Sequence, residues 1–220
     1  MTDEVKIETY ALGDLMTNCY LLHNDHEAIL IDPGGQSMEL VRRLFKHNLK
    51  LSYIVNTHGH IDHIGGNGFF KNHFPGAKII IYEAEMIYLT HPGLNLSTEF
   101  NQPYLSPEPD ILVRGKKELF EIFGKDVTFY HTPGHTPGSM CLSFTNHTWL
   151  FCGDTLFAGS IGRTDLPGGS FQDILESLTL VMKSFPDNTI LFPGHGPETT
   201  IGNEKKMNPY ILEYLSEIGS

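Results

Sequence analysis

"THGHIDHIGG" (residues 57–66) places four potential metal-ligating side chains, His58, His60, Asp62 and His63, within six positions. It continues directly from "LSYIVNT" (51–57), a β-branched and aromatic run with the pattern of a buried strand. In an extended segment alternate side chains point the same way, so His58, His60 and Asp62 could not all diverge from one focus. His63 breaks that period. Glycines at 59, 65 and 66 let the loop bend and a helix begin close by, so that neighbouring side chains can serve two adjacent metal positions. Imidazole and carboxylate are ligands that zinc and iron accept in such a site. The bland alternative is a His-rich surface loop, and four ligands in six residues after a buried strand weigh against it.

Three further candidates stand at strand ends with glycine beside them. They are His135 in "TPGHTPGS", Asp154 in "FCGDTLF" and His195 in "FPGHGPE". His23, His26, His47, His73, His91, His131 and His147 lack that context and are set aside as ordinary loop or core histidines. The local four and remote three make seven, a number that suits two metals sharing one carboxylate.

Around them the chain alternates strand and helix patterns. "VKIETYAL", "NCYLL", "EAILID", "AKIIIY", "VTFYHT", "SMCLSF", "TWLFCGD" and "NTILFPG" read as strands, and the early consecutive ones predict a partly antiparallel sheet. Ser37 is placed to cap a helix with Met38, Val41, Leu44 and Phe45 on one face, and "EAEMIYL" predicts a short helix. Ser170 is placed to cap one with Phe171, Ile174, Leu175, Leu178, Val181, Met182 and Phe185 on one face. A last helix begins at Asn208 and Pro209, with Met207, Ile211, Leu215 and Ile218 expected in the core. "DPGG" (32–35) reads as a turn. Residues 91–110, with four prolines and little periodicity, form an irregular insertion that suits either a lid or a plain surface loop. No linker or repeat is visible, so residues 1–220 read as one α/β domain.

The 220 residues carry 26 acidic and 15 basic side chains, a net charge of −11 that disfavours nucleic acid and anionic membranes as partners. "MTDEVKIETY" lacks the features of a secretory signal, and no run approaches the ~20 apolar residues of a membrane helix. Cys19, Cys141 and Cys152 are widely spaced and odd in number, which suits a reducing cytoplasm.

Taken in order, "THGHIDH", "GHTPGS", "GD" and "GH" resemble the metallo-β-lactamase superfamily, over nearly the whole chain. "NCYLL", "ILIDPGG", "GDTLF" and "PGHGPETT" look most like its glyoxalase II (hydroxyacylglutathione hydrolase) branch. The resemblance implies a four-layer αββα sandwich with two divalent metals, zinc first and iron or manganese as alternatives. It implies that His58, His60 and His135 hold one metal, that Asp62, His63 and His195 hold the other, and that Asp154 bridges them. The implied activity is hydrolysis of a small thioester such as S-lactoylglutathione by a metal-bridging hydroxide, with Asp62 able to take a proton. Cys152, two residues from Asp154, would share its face in a strand; a structural role is favoured, because Asp62 and His63 already serve the second metal.

The long glyoxalase II enzymes bind glutathione through a lysine and a tyrosine after the bridging aspartate, where this chain has Arg163 and Asp165. Arg163 could clamp a substrate carboxylate or pair with Asp165 to shape the loop. Lys205 and Lys206 read as a solvated helix face. The alternative of the same fold is a mononuclear iron persulfide dioxygenase, which "GRTD" resembles while "HIGGN" looks more like the hydrolases. A non-enzymatic metal-binding protein is a third reading. Flavodiiron oxygen reduction needs a glutamate in place of His60, and the superfamily's nucleases match the acidic charge poorly.

Overall fold

The computed structural model describes residues 4–145 and 148–214. By its internal contacts the chain divides into two compact units, Met1–Val113 and Arg114–Ser220.

The first unit is built on β1 (Lys6–Leu12), β2 (Thr17–His23), β3 (Glu27–Ile31), α1 (Met38–Lys46), β4 (Lys50–Val55), α2 (Ile61–Ile64), α3 (Asn67–His73), β5 (Lys78–Tyr82), α4 (Met86–Thr90) and β6 (Ile111–Val113). Its six strands lie in sequence order; β1, β2 and β3 pair antiparallel, and β3 through β6 pair parallel. Leu21, Ala28, Leu30, Ile54 and Ile79 share a core with Leu40, Val41 and Leu44 of α1 and Phe70 of α3. The intervening strand residues, among them Leu22, Ile29, Ile31, Val55 and Ile80, are buried too. A sheet buried on both faces explains why its strands read as nearly continuous apolar runs.

Ser37 caps α1 by accepting from Leu40 N at 3.2 Å, as the sequence predicts. Met38 and Phe45, however, are exposed rather than buried. The helix is only nine residues long, so its buried stripe is Leu40, Val41 and Leu44, and residues at its ends fall off the sheet contact; Phe45 stacks on Phe74 instead, at 5.1 Å between centroids.

The second unit comprises β7 (Lys117–Ile122), β8 (Lys125–His131), β9 (Met140–Phe144), β10 (Trp149–Gly153), a small hairpin of β11 (Leu156–Phe157) and β12 (Ser160–Ile161), α5 (Phe171–Ser184), β13 (Ile190–Pro193), β14 (Thr199–Thr200), α6 (Ile201–Met207) and α7 (Pro209–Tyr214). The main sheet runs β14-β13-β10-β9-β8-β7, with β10 and β13 parallel and the other pairs antiparallel. Ile174, Leu178, Val181 and Met182 of α5 share a core with Cys141, Leu150, Cys152 and Leu191. Ser170 caps α5 through Asp173 N at 3.2 Å, while Phe171 in the first turn is exposed.

Asn208 Oδ1 accepts from Tyr210 N at 3.1 Å, the cap expected for α7. Ile211 is buried, but Met207 is largely exposed at the end of α6. Its expected companions Leu215 and Ile218, like His147, lie outside the described residues.

Candidate metal centre

In the first unit, strands β3, β4 and β5 run parallel, and the residues following their C-terminal ends gather at one edge of the sheet, the position at which open α/β sheets place ligands. After β4 the chain bends at Thr57 and His58, is extended at His60 and turns into α2 at Ile61, which carries Asp62 and His63 on helical rather than strand spacing. This supplies the break in period that the sequence requires. The glycine at 59 is needed for close approach: a Cβ there would sit 2.4 Å from Cβ of Tyr88. Its N–H donates to Oε2 of the buried Glu85 at 2.7 Å, which ties the ligand loop to the turn after β5.

His58 Nε2 lies 3.1 Å from His60 Nδ1, and His63 Nε2 lies 3.5 Å from Asp62 Oδ2. Asp32, at the end of β3 with φ of 50°, accepts from Thr57 N and Thr57 Oγ1, both at 2.7 Å. Its Oδ2 also stands 2.9 Å from His63 Nδ1. An ionised carboxylate only accepts, so Asp32 favours the tautomer with the His63 proton on Nδ1, with Nε2 on the Asp62 side. Thr17 Oγ1 donates to Asp62 Oδ2 at 3.3 Å.

In the second unit β8, β10 and β13 share one direction, and His135, Asp154 and His195 follow their C-terminal ends. Asp154 Oδ2 is 3.6 Å from His135 Nε2 and 3.7 Å from His195 Nε2. His135 Nδ1 donates to the Arg163 carbonyl at 2.8 Å, which again commits Nε2 to the Asp154 side. Gly162 packs so closely on this turn that a Cβ would lie 1.8 Å from the Asp154 carbonyl oxygen.

Cys152 does not share the face of Asp154. The strand register shifts between Phe151 and Gly153, and Gly153 adopts φ of 47°, so alternation ends there. The Cys152 thiol turns into the core, 3.2 Å from the Leu156 carbonyl, and burial pushes its pKa well up. The Arg163 guanidinium makes a bidentate pair with Asp165, both contacts 2.7 Å, at the surface.

Two donors held about 2.0–2.2 Å from a tetrahedral ion are separated by roughly 3.3–3.6 Å. The four separations within the two halves, 3.1, 3.5, 3.6 and 3.7 Å, bracket that spacing, and all seven side chains are candidate metal ligands by type and placement. The residues present therefore fit divalent metal.

Sequence reasoning did not assign Asp32 or Glu85. Asp32 carries the same signal as Asp154, an acidic residue at a strand end before glycine, but "DPGG" was absorbed by its reading as a turn. Glu85 had no signal, being one of two glutamates in the short stretch "EAEMIYL".

The chain belongs to the metallo-β-lactamase superfamily, a group of metal-dependent hydrolases: the sequence model of the "Metallo-beta-lactamase superfamily" matches residues 12–195. Among individual proteins it is similar to hydroxyacylglutathione hydrolase GloC of Haemophilus influenzae, 33% identical over 94% of this chain and 98% of that one. Among solved structures it is similar to BLEG-1, a B3 metallo-β-lactamase, with a TM-score of 0.88 and 36% identity over 94% of this chain and 99% of that one. A protein designated TTHA1623, solved in a di-iron-bound form, follows with a TM-score of 0.77 and 30% identity over 92% of this chain and 99% of that one. The fold is thus the metallo-β-lactamase fold, as the resemblance implies. Among the described residues no helix is long and apolar enough to cross a membrane.

Proposed function

We propose that the protein is a dinuclear metal-dependent hydrolase of a small thioester, with S-lactoylglutathione or a related thioester as substrate. The observation that carries this reading is Asp154, whose single oxygen Oδ2 faces both His135 and His195 as a carboxylate shared between two metals would. His58, His60 and His135 are assigned to the first metal, and Asp62, His63 and His195 to the second. The similarity to a hydroxyacylglutathione hydrolase supports the thioester, and the similarity to a di-iron-bound protein supports two ions. Zinc is the first candidate, with iron or manganese accepted by the same donors.

When bound, such a pair of ions supplies hydroxide near neutral pH and polarises the scissile carbonyl. Asp62, positioned by Thr17, is the group assigned to take the nucleophile's proton. The Arg163 carbonyl fixes the tautomer of His135, and the Asp32 carboxylate beside His63 Nδ1 favours the matching tautomer there. Arg163 is the candidate for a substrate carboxylate, which it would reach by exchanging Asp165. The three cysteines, free and buried, support placement in a reducing cytoplasm.

Metal analysis of the purified protein together with thioester assays tests this. Two metals per chain and cleavage of S-lactoylglutathione or a simpler thioester are expected. One iron per chain with oxygen uptake on glutathione persulfide would replace the reading with a dioxygenase, and two metals with no cleavage of any thioester, ester or lactone would end it.

A further inference from the structure

The irregular segment 91–110 has no part in the metal ligation, yet it is firmly built. The Asn95 side chain donates to the carbonyls of Tyr88 and Tyr104, at 2.9 and 3.1 Å, and the Asn95 carbonyl accepts from Ile61 N at 2.8 Å, where α2 begins. Tyr104 Oη accepts from Gly68 N at 3.2 Å, and Asn67 Nδ2 donates to Ser106 Oγ at 3.0 Å. These bonds pin the segment to the two short helices that follow the ligand loop, which makes it a wall rather than a lid.

That wall closes one side of a cleft of about 410 Å³ in the first unit; the turn between β1 and β2 and the glycines after β3 close the others. Asp62 lines it, so the cleft opens onto a residue assigned to the metal and to proton transfer. Its large side chains are apolar or aromatic: Leu15, Ile61, Phe100, Pro103 and Tyr104. Leu15 and Phe100, both lining the cleft, remain 48% and 40% exposed, large apolar groups left open around a concavity. Gln36 and Gln102 supply neutral hydrogen-bonding groups, and among the described residues no lysine, arginine or histidine lines the cleft. Its ionisable carboxylates are Asp62, which serves the metal, and Asp14, which is exposed at the rim.

We infer that this cleft is the specificity pocket of the enzyme and that it receives an uncharged, largely apolar group of the substrate, gripped by Phe100, Leu15 and Tyr104. An anionic group is disfavoured away from the metal end, since Asp14 repels it and no cationic side chain among the described lining residues answers it. The inference rests on the thioesterase reading and narrows it to substrates carrying such a group.

Binding calorimetry on the metal-loaded protein separates the possibilities with two non-hydrolysable thioethers that share one thiol. S-pentyl-N-acetylcysteamine is uncharged, and S-(4-carboxybutyl)-N-acetylcysteamine ends in a carboxylate. The pentyl probe should bind about tenfold or more tightly, and Phe100→Ala should weaken it about tenfold, the scale on which apolar pockets discriminate. Asp14→Lys should raise affinity for the carboxylate probe relative to the pentyl probe severalfold. Phe100 and Asp14 are both exposed, so neither variant endangers folding. Equal or tighter binding of the carboxylate probe, or a pentyl affinity indifferent to Phe100→Ala, would overturn the assignment. If the pentyl probe binds in a Phe100-dependent way but the matching pentanoyl thioester is not cleaved, the cleft stands and the thioesterase reading falls. Cleavage of that thioester without any Phe100 dependence has the opposite meaning.

Discussion

Asp32 and Asp154 are both aspartates at strand ends before a tight turn, and their partners give them different tasks. Asp154 shares one oxygen between two imidazoles, while Asp32 spends its oxygens on Thr57 and on His63 Nδ1. Asp154→Ala is therefore expected to lower metal content at both positions. Asp32→Asn should keep the fold but weaken metal binding by about 10–100-fold, the usual cost of losing a partner that orients a ligand histidine; titration against a chromophoric chelator reads both. Unchanged metal content in Asp154→Ala would remove the bridging assignment. The contrast also shows what was legible in the sequence. His58, His60, Asp62 and His63 could be read because they crowd into six positions. The role of Asp32 depends on contacts 25 and 31 residues away, which no local pattern displays. Arg163 is a third case: Asp165→Ala should lower KM for a carboxylate-bearing thioester if the freed guanidinium serves substrate, and should leave KM unchanged if the pair only shapes the loop.

Among the elements, α5 was the easiest to read, because fourteen residues carry a full apolar stripe and a serine cap. Ser170→Ala should cost about 1 kcal/mol in a urea melt. The strand β7 gives no strand signal, since KELFEI mixes charged and apolar residues on both faces and Leu119 is 61% exposed at the sheet edge. The Met38, Phe45 and Met207 positions fit a helical face by spacing, yet they lie in short helices whose ends overhang the core. Strand β1 is joined to α1 through Glu8, which accepts from Arg43 Nε at 3.1 Å and also pairs with Arg43 Nη2. The Arg43 guanidinium pulls the Glu8 pKa down from 4.5 to about 2. A depressed folded-state value means the pair stabilises above pH 4.5, and its contribution fades as pH falls toward 2. Because the pair is partly solvated, the contribution is about 0.5–1 kcal/mol. Glu8→Gln should accordingly be less stable than the parent chain at pH 7, with the gap narrowing between pH 5 and pH 3 in urea melts; a gap independent of pH would show that Arg43 does not set it.

For the whole molecule, metal and folding are one equilibrium if the proposed centre is right. Its seven ligands come from positions 58 to 195, so the unfolded chain offers at best the local cluster of four, and metal binds the native state preferentially. Binding to the native state alone stabilises it by about 4.1 kcal/mol when free metal is 1,000-fold above Kd. For a chain of this size each kcal/mol moves Tm by about 2–4 °C, so stripping metal with a chelator should lower Tm by roughly 8–16 °C, and adding zinc back should restore it. Asp154→Ala should lose most of that difference between metal-loaded and stripped protein. Ser170→Ala, remote from the ligands, should shift both forms equally and keep the difference intact. A chelator-treated chain melting at the same temperature as the loaded one would mean that the seven side chains do not hold metal tightly. The proposed hydrolase would then fail on thermodynamic grounds before any substrate was tried.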